Sequence, residues 1–151
     1  MDPRILGMIG AGVVMGVGAI GSAIGIGIAG SAVIGAWKRC YKANKPAPMT
    51  LLAFAGAPLT QTFYGFILMQ QMLGAAAALG QNIGQAGQLL GMGIGSGLAI
   101  AFSAIAQGKA GAAGADALSD TGKGFANYIA VVGICETVAL FAMVLSMTTL
   151  G

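Results

Sequence analysis

The chain has 151 residues, 57% of them hydrophobic and only 7% charged, with a mean hydropathy of +0.87. Soluble domains carry about a quarter of their residues as charges, so a water-soluble globular fold is excluded and a membrane protein is indicated. The net charge of +3 sits in the connections between apolar stretches, which reads as membrane topology rather than a nucleic-acid surface.

Four long uncharged stretches, about 5–37, 49–80, 83–107 and 125–150, can each cross a bilayer as a helix. No stretch alternates polar and apolar residues with period two, which disfavours a membrane barrel. The reading is one all-α membrane domain over 1–151, built as two duplicated hairpins, 1–80 and 83–151. Lys38, Arg39, Lys42 and Lys45 crowd the first connection, Lys109 and Lys123 flank the third, and the second carries no charge. The positive-inside rule then puts loops 38–48 and 108–124 in the cytoplasm and both termini outside a plasma membrane. Arg4 is a counter-signal, offset by Asp2. The first apolar run far exceeds the 7–15 or so residues of a signal-peptide core, so it is expected to belong to the mature protein. No disulfide is expected between Cys40, in a cytoplasmic loop, and Cys135, at membrane depth. With no histidine and no cysteine cluster, metal sites of soft ligands are excluded.

The first span is rich in glycine, with small residues four apart on several faces: Gly12 and Gly16; Gly21, Gly25 and Ala29; Ala23, Gly27 and Ser31. Such a helix admits close neighbours, which suits the inside of a tight assembly. The GxGxxG-like run near Gly16–Gly21 is no nucleotide fingerprint, because no strand precedes it. The second span follows a loop marked by Pro46 and Pro48, and contains Pro58, which frees a carbonyl about one turn earlier. Positions 57, 60, 61 and 64 share a helical face, so Thr60, Gln61 and Tyr64 form a polar pocket with that free backbone. In the third span Gly87, Gly91, Gly95, Ala99 and Ser103 lie four apart, and the run ends in Ala106-Gln107-Gly108-Lys109. It resembles the first span. Aligning the halves sets Gln107 over Ile24 and Glu136 over Leu59, leaving one acidic site per chain.

Glu136 lies in the fourth span, roughly 16 Å from its start at about 1.5 Å per residue, near the midplane of a hydrocarbon layer about 30 Å thick. A charge there costs at least about 2.5 kcal/mol and marks a functional site. No basic residue lies at that depth, so Glu136 is protonated or holds a cation. Both states are neutral and can cross lipid, as an ion carrier that moves through the membrane requires.

Three strings, Pro58-Leu59-Thr60-Gln61 with Tyr64-Gly65, Ala106-Gln107-Gly108-Lys109, and Glu136-Thr137, resemble in order and spacing the rotor-ring proteolipid of V-type and A-type rotary ATPases. The resemblance covers nearly the whole chain. It implies a non-catalytic subunit in a homo-oligomeric ring in the lipid bilayer, with the first and third helices inside and the second and fourth outside. Glu136 would meet an arginine of a stator membrane subunit once per turn, and central-stalk subunits would couple rotation to ATP hydrolysis or synthesis in a soluble head. By likeness to the sodium-translocating bacterial members, the ion ligands are Glu136, Gln61, Gln107, Thr60 and the main-chain carbonyl of Ala57, with the Tyr64 hydroxyl bonding the carboxylate. Ala57 stands where such relatives carry leucine, which matters little to a backbone ligand. Gly21, Gly25, Gly91 and Gly95 are expected to pack the inner ring.

A proton needs only the carboxylate, whereas sodium needs about five oxygens to replace its water, and hard cations prefer oxygen. The oxygen set points to Na+, with H+ as the alternative. A structural or pore-forming protein, with Glu136 merely gluing helices, is the reading of another class. A secondary transporter is disfavoured by the lack of an inverted repeat. No nucleophile, base and oxyanion set supports an enzyme.

Overall fold

Helix capping explains where the elements begin and end. The structure, a computed structural model describing residues 2–150, contains α1 (Pro3–Lys42), α2 (Leu52–Gly56), α3 (Thr60–Ala78), α4 (Ile83–Thr121) and α5 (Phe125–Thr148). Two 3-10 turns, Met49–Leu51 and Ala57–Leu59, flank α2, so the second span is Met49–Ala78 with a break inside it. Asp2 caps α1 by accepting from the Arg4 amide at 2.9 Å, and Pro3 loses no hydrogen bond in the first turn. Arg4 also pairs with Asp2 at 2.7 Å, which offsets its positive charge. Asn82 caps α4 by accepting from the Gln85 amide at 3.1 Å. Gly122, at φ 64°, ends α4 in the left-handed region that favours glycine.

The four spans form two layers. α1 and α4 run parallel as the central pair, with α3 packed mainly on α1 and α5 on α4. Backbone meets backbone in the central pair. A Cβ added at Gly10 would lie 2.5 Å from the Leu89 carbonyl oxygen, and one at Gly21 would collide with Ala101, one at Gly25 with Ala104, and one at Gly108 with Gly25. Without a hydrophobic drive between helices in lipid, such close approach is what holds them together. α5 buries Val132 and Ala139 inward and exposes Val131, Ile134, Val138, Phe141 and Leu145, a surface suited to lipid.

One expectation changes and another is divided. The third span does not stop at 107: α4 runs to Thr121, so most of 108–124 is helix rather than loop. The inward stripe simply continues, because Gly111 and Gly114 accommodate Phe54, and Ala115 and Leu118 join Val33, Ala36 and Leu51 in one apolar cluster. Arg39, bonded to Asp116 and Ser119 and 3.7 Å from Asp120, ties the end of α1 to the end of α4. At 40 and 39 residues, α1 and α4 are each about 60 Å long, roughly twice the hydrocarbon thickness. Secondly, the glycines divide. Gly21 and Gly25 lie in the α1/α4 contact, together with Gly93, Gly97 and Gly108, while a Cβ at Gly91 or Gly95 meets nothing within 4 Å among the described residues.

That division makes a prediction. Gly25→Leu should destabilise the chain by at least about 1–3 kcal/mol through overpacking, whereas Gly95→Leu should leave its folding unchanged. Thermal unfolding of the two variants in detergent tests it, and equal losses would contradict the placement.

Candidate functional site

The break in the second span creates the site. Pro58 has no N–H to donate, and the chain tightens into the turn Ala57–Leu59 before α3 resumes at Thr60. The Ala57 carbonyl accepts from the Thr60 amide and from Thr60 Oγ1, the latter at 3.0 Å. Thr60 Oγ1 is also 3.2 Å from Gln61 Oε1. Gln61 is fully buried, and its Nε2 donates to Gln107 Oε1 at 2.7 Å. Gln107, fully buried on α4, donates from Nε2 to Glu136 Oε2 at 3.2 Å and to the Val132 carbonyl at 3.1 Å. The Tyr64 hydroxyl donates to Glu136 Oε1.

The three strings of the sequence thus converge. Thr60, Gln61 and Tyr64 come from the second span, Gln107 from α4 and Glu136 from the middle of the 24-residue α5. Gln61 Nε2 donates to Gln107 Oε1, and Gln107 Nε2 to Glu136 and the Val132 carbonyl; Gln61 Oε1 lies beside Thr60 Oγ1, and each amide oxygen keeps a lone pair to spare. Glu136 is half-buried and has no cationic partner among the described residues, where ion pairs join only Arg4 to Asp2 and Arg39 to Asp116 and Asp120. Hard oxygens around one uncompensated carboxylate can hold a small hard cation or a proton. Thr137 is outside this set, since its exposed hydroxyl bonds back to the Ile134 carbonyl at 2.7 Å. Gly21, Gly25, Gly91 and Gly95 are helix-surface positions and contribute no ligand.

Several supporting groups lie beyond what the sequence motifs indicate. Ser103 donates to the Cys135 carbonyl and the Ser96 and Ser146 hydroxyls bond each other, both at 2.7 Å, so with Gln107–Val132 and Gln107–Glu136 four polar bonds tie α4 to α5. Ser96, Ser103 and Gln107, seven and four apart, form a stripe that periodicity could have found. The Val132 carbonyl, one turn before Glu136, has no sequence signal, being main chain.

Residues 90–149, covering α5 and most of α4, match the family model of the ATP synthase C subunit. Over 151 residues the chain is 31% identical to the A-type ATP synthase subunit K of Methanocaldococcus jannaschii, an alignment that takes in 99% of this chain and 64% of that protein's length. With four apolar spans and a mid-helix carboxylate in the matched hairpin, the chain is similar over residues 90–149 to the ATP synthase C subunit and over nearly its whole length to that archaeal subunit K, of which it spans a little under two thirds.

Proposed function

We propose that the chain is the ion-carrying subunit of the rotor ring in a V/A-type rotary ATPase, and that the ion is sodium. The observation that carries this reading is the connected set of oxygen-bearing groups that runs from Ala57 and Thr60 through Gln61 and Gln107 to Glu136, a carboxylate without a cationic partner among the described residues. With a cation bound the site is neutral and can turn through lipid. An arginine of a stator membrane subunit would displace the ion, and central-stalk subunits would link the turning ring to ATP hydrolysis or synthesis. Moving one charge across 100 mV is worth about 2.3 kcal/mol, so several ions must pass per ATP. The c/K proteolipid itself is non-catalytic.

The second reading is a proton ring. It is less well supported, because both oxygens of Glu136 already accept, one from Tyr64 and one from Gln107. A carboxylate balanced by a cation suits two donors better than a carboxyl that must itself donate. The deciding experiment is carbodiimide labelling of Glu136, which attacks only the protonated carboxyl. Sodium should slow it, and indifference to sodium would remove the sodium assignment.

The ring is assembled through the faces the chain leaves open. Gly91 and Gly95 on α4, and Gly12 and Gly16 on α1, meet nothing among the described residues, so a neighbouring copy could approach them closely. Gly95→Leu should therefore fold but give no detergent-stable ring, and a normal ring would overturn this packing. The cytoplasmic side is taken as the end with Lys38, Arg39, Lys42, Lys45, Lys109 and Lys123, with both termini outside the plasma membrane. Native Cys40 is a poor reporter of this, being only 5% exposed, and Asn82 is needed as the cap of α4. In a Cys40→Ala background, exposed Gln81→Cys should react with an impermeant maleimide on intact cells and exposed Lys45→Cys should not. The opposite pattern would invert the topology.

A further inference from the structure

Among the described residues, one buried side-chain polar atom has no hydrogen-bond partner: the hydroxyl of Ser22, a residue 2% exposed. Its location is informative. A Cβ at Gly18, one turn before it, would lie 3.6 Å from the Gln61 carbonyl oxygen, and a Cβ at Gly25, just under a turn after it, would lie 2.9 Å from the Pro58 ring. Ser22 therefore faces the stretch between Pro58 and Gln61, the broken turn that presents the Ala57 carbonyl, Thr60 and Gln61. Gly21 and Gly25 of the same stripe meet Ala101 and Ala104, so Ser22 stands where α1, the break and α4 come together.

Packing positions in this stripe are filled elsewhere by groups without a polar atom, at Val14, Gly18, Gly21, Gly25 and Ala29. A hydroxyl there is costly unless it bonds something. Hydroxyls inside helices ordinarily bond back to a carbonyl three or four residues earlier. Thr137 and Thr148 do so here, to Ile134 and Leu145, each at 2.7 Å. Ser22 does not. Across from it the backbone has acceptor capacity to spare, because Pro58 brings no N–H to the turn and each carbonyl has two lone pairs.

We propose that Ser22 is a positioning residue for the ion site: its hydroxyl bonds the backbone of the broken turn in the ion-holding arrangement, and so sets how the Ala57 carbonyl and the Gln61 amide meet the ion. It touches no ion itself. The proposal rests on the reading of Glu136 and its neighbours as an ion site.

The test uses the intact assembled ring, with Ser22→Ala and Ser22→Gly, both of which remove the hydroxyl without adding bulk. The quantity measured is the sodium chloride concentration that halves the rate of carbodiimide labelling at Glu136. A rise of at least threefold in whichever variants assemble, with unchanged ring stability on denaturing gels, supports the proposal. An unchanged sodium requirement overturns it in favour of packing alone, as does failure of both variants to assemble. Should the wild type itself ignore sodium, the sodium assignment fails separately. The comparison is then the labelling rate without sodium at fixed pH, where a threefold change in the variants supports the positioning role on a proton site and no change overturns it.

Discussion

Glu136→Gln is expected to abolish ion transport and carbodiimide labelling together, while the ring still assembles. The amide has nearly the same shape as the carboxyl, so its oxygen can still accept from Tyr64 or Gln107, the two donors that now bond the carboxylate. Packing is unchanged, since the side chain is half-buried and its interactions are these hydrogen bonds. What disappears is chemistry: a neutral amide neither balances a cation nor carries an exchangeable proton near neutral pH. ATP-driven ion uptake into vesicles should fall to background, with the ring intact on a gel. If Glu136 were only glue between helices, glutamine would serve equally well, because a neutral hydrogen-bonding side chain holds membrane helices without the cost of a buried charge. Full transport by the variant would therefore sink the carrier reading.

The spans, and the polar groups that the fold brings together, were readable from the chain because each is an exception to its surroundings. Glu136, Gln61, Gln107, Thr60 and Tyr64 are polar groups in apolar runs, and groups that cannot reach water at that depth must meet one another. Helix ends were not readable in the same way. Residues 108–121 contain Lys109, Asp116 and Asp120 and look like a connection by hydropathy, yet the packing of Gly111, Gly114, Ala115 and Leu118 carries α4 through them. The glycine stripe does not all face one partner, for a geometric reason. A spacing of four advances roughly 40° beyond a full turn at each step, so a row from Gly87 to Ser103 winds around the helix. Gly91 and Gly95 face away from the chain while Ser103 is buried against α5. The face that meets α1 instead carries Gly93, Gly97 and Gly108, and only the partner helix selects between two such rows. The Val132 carbonyl and the unpaired Ser22 hydroxyl belong to a third kind, set by backbone placement that no residue type announces.

Replacing Gln107 by Ile, the residue its counterpart Ile24 carries in the first half, should raise the sodium concentration that protects Glu136 from carbodiimide by about tenfold or more. In the proposed site Gln107 supplies an oxygen ligand; that oxygen accepts from Gln61 at 2.7 Å, and its amide nitrogen donates to Glu136 and Val132. Isoleucine removes the ligand and strands the buried Gln61 amide, and an unsatisfied buried group costs about 1–3 kcal/mol, with each 1.4 kcal/mol or so a factor of ten in affinity. Proton binding at Glu136 should survive, since it needs the carboxyl and little else, so labelling without sodium persists. Gln61→Leu should act likewise, because it removes the acceptor beside Thr60 and the donor to Gln107. The pH dependence follows from competition for one carboxylate: as pH falls, protons occupy the site and more sodium is needed for the same protection, and as pH rises, less is needed. The shift caused by either variant should appear throughout that range as a parallel displacement towards higher sodium. Labelling of the wild type that ignores sodium from roughly pH 5 to 9, together with transport driven by an imposed proton gradient alone, would make this a proton site, in which both glutamines only hold the carboxyl in place.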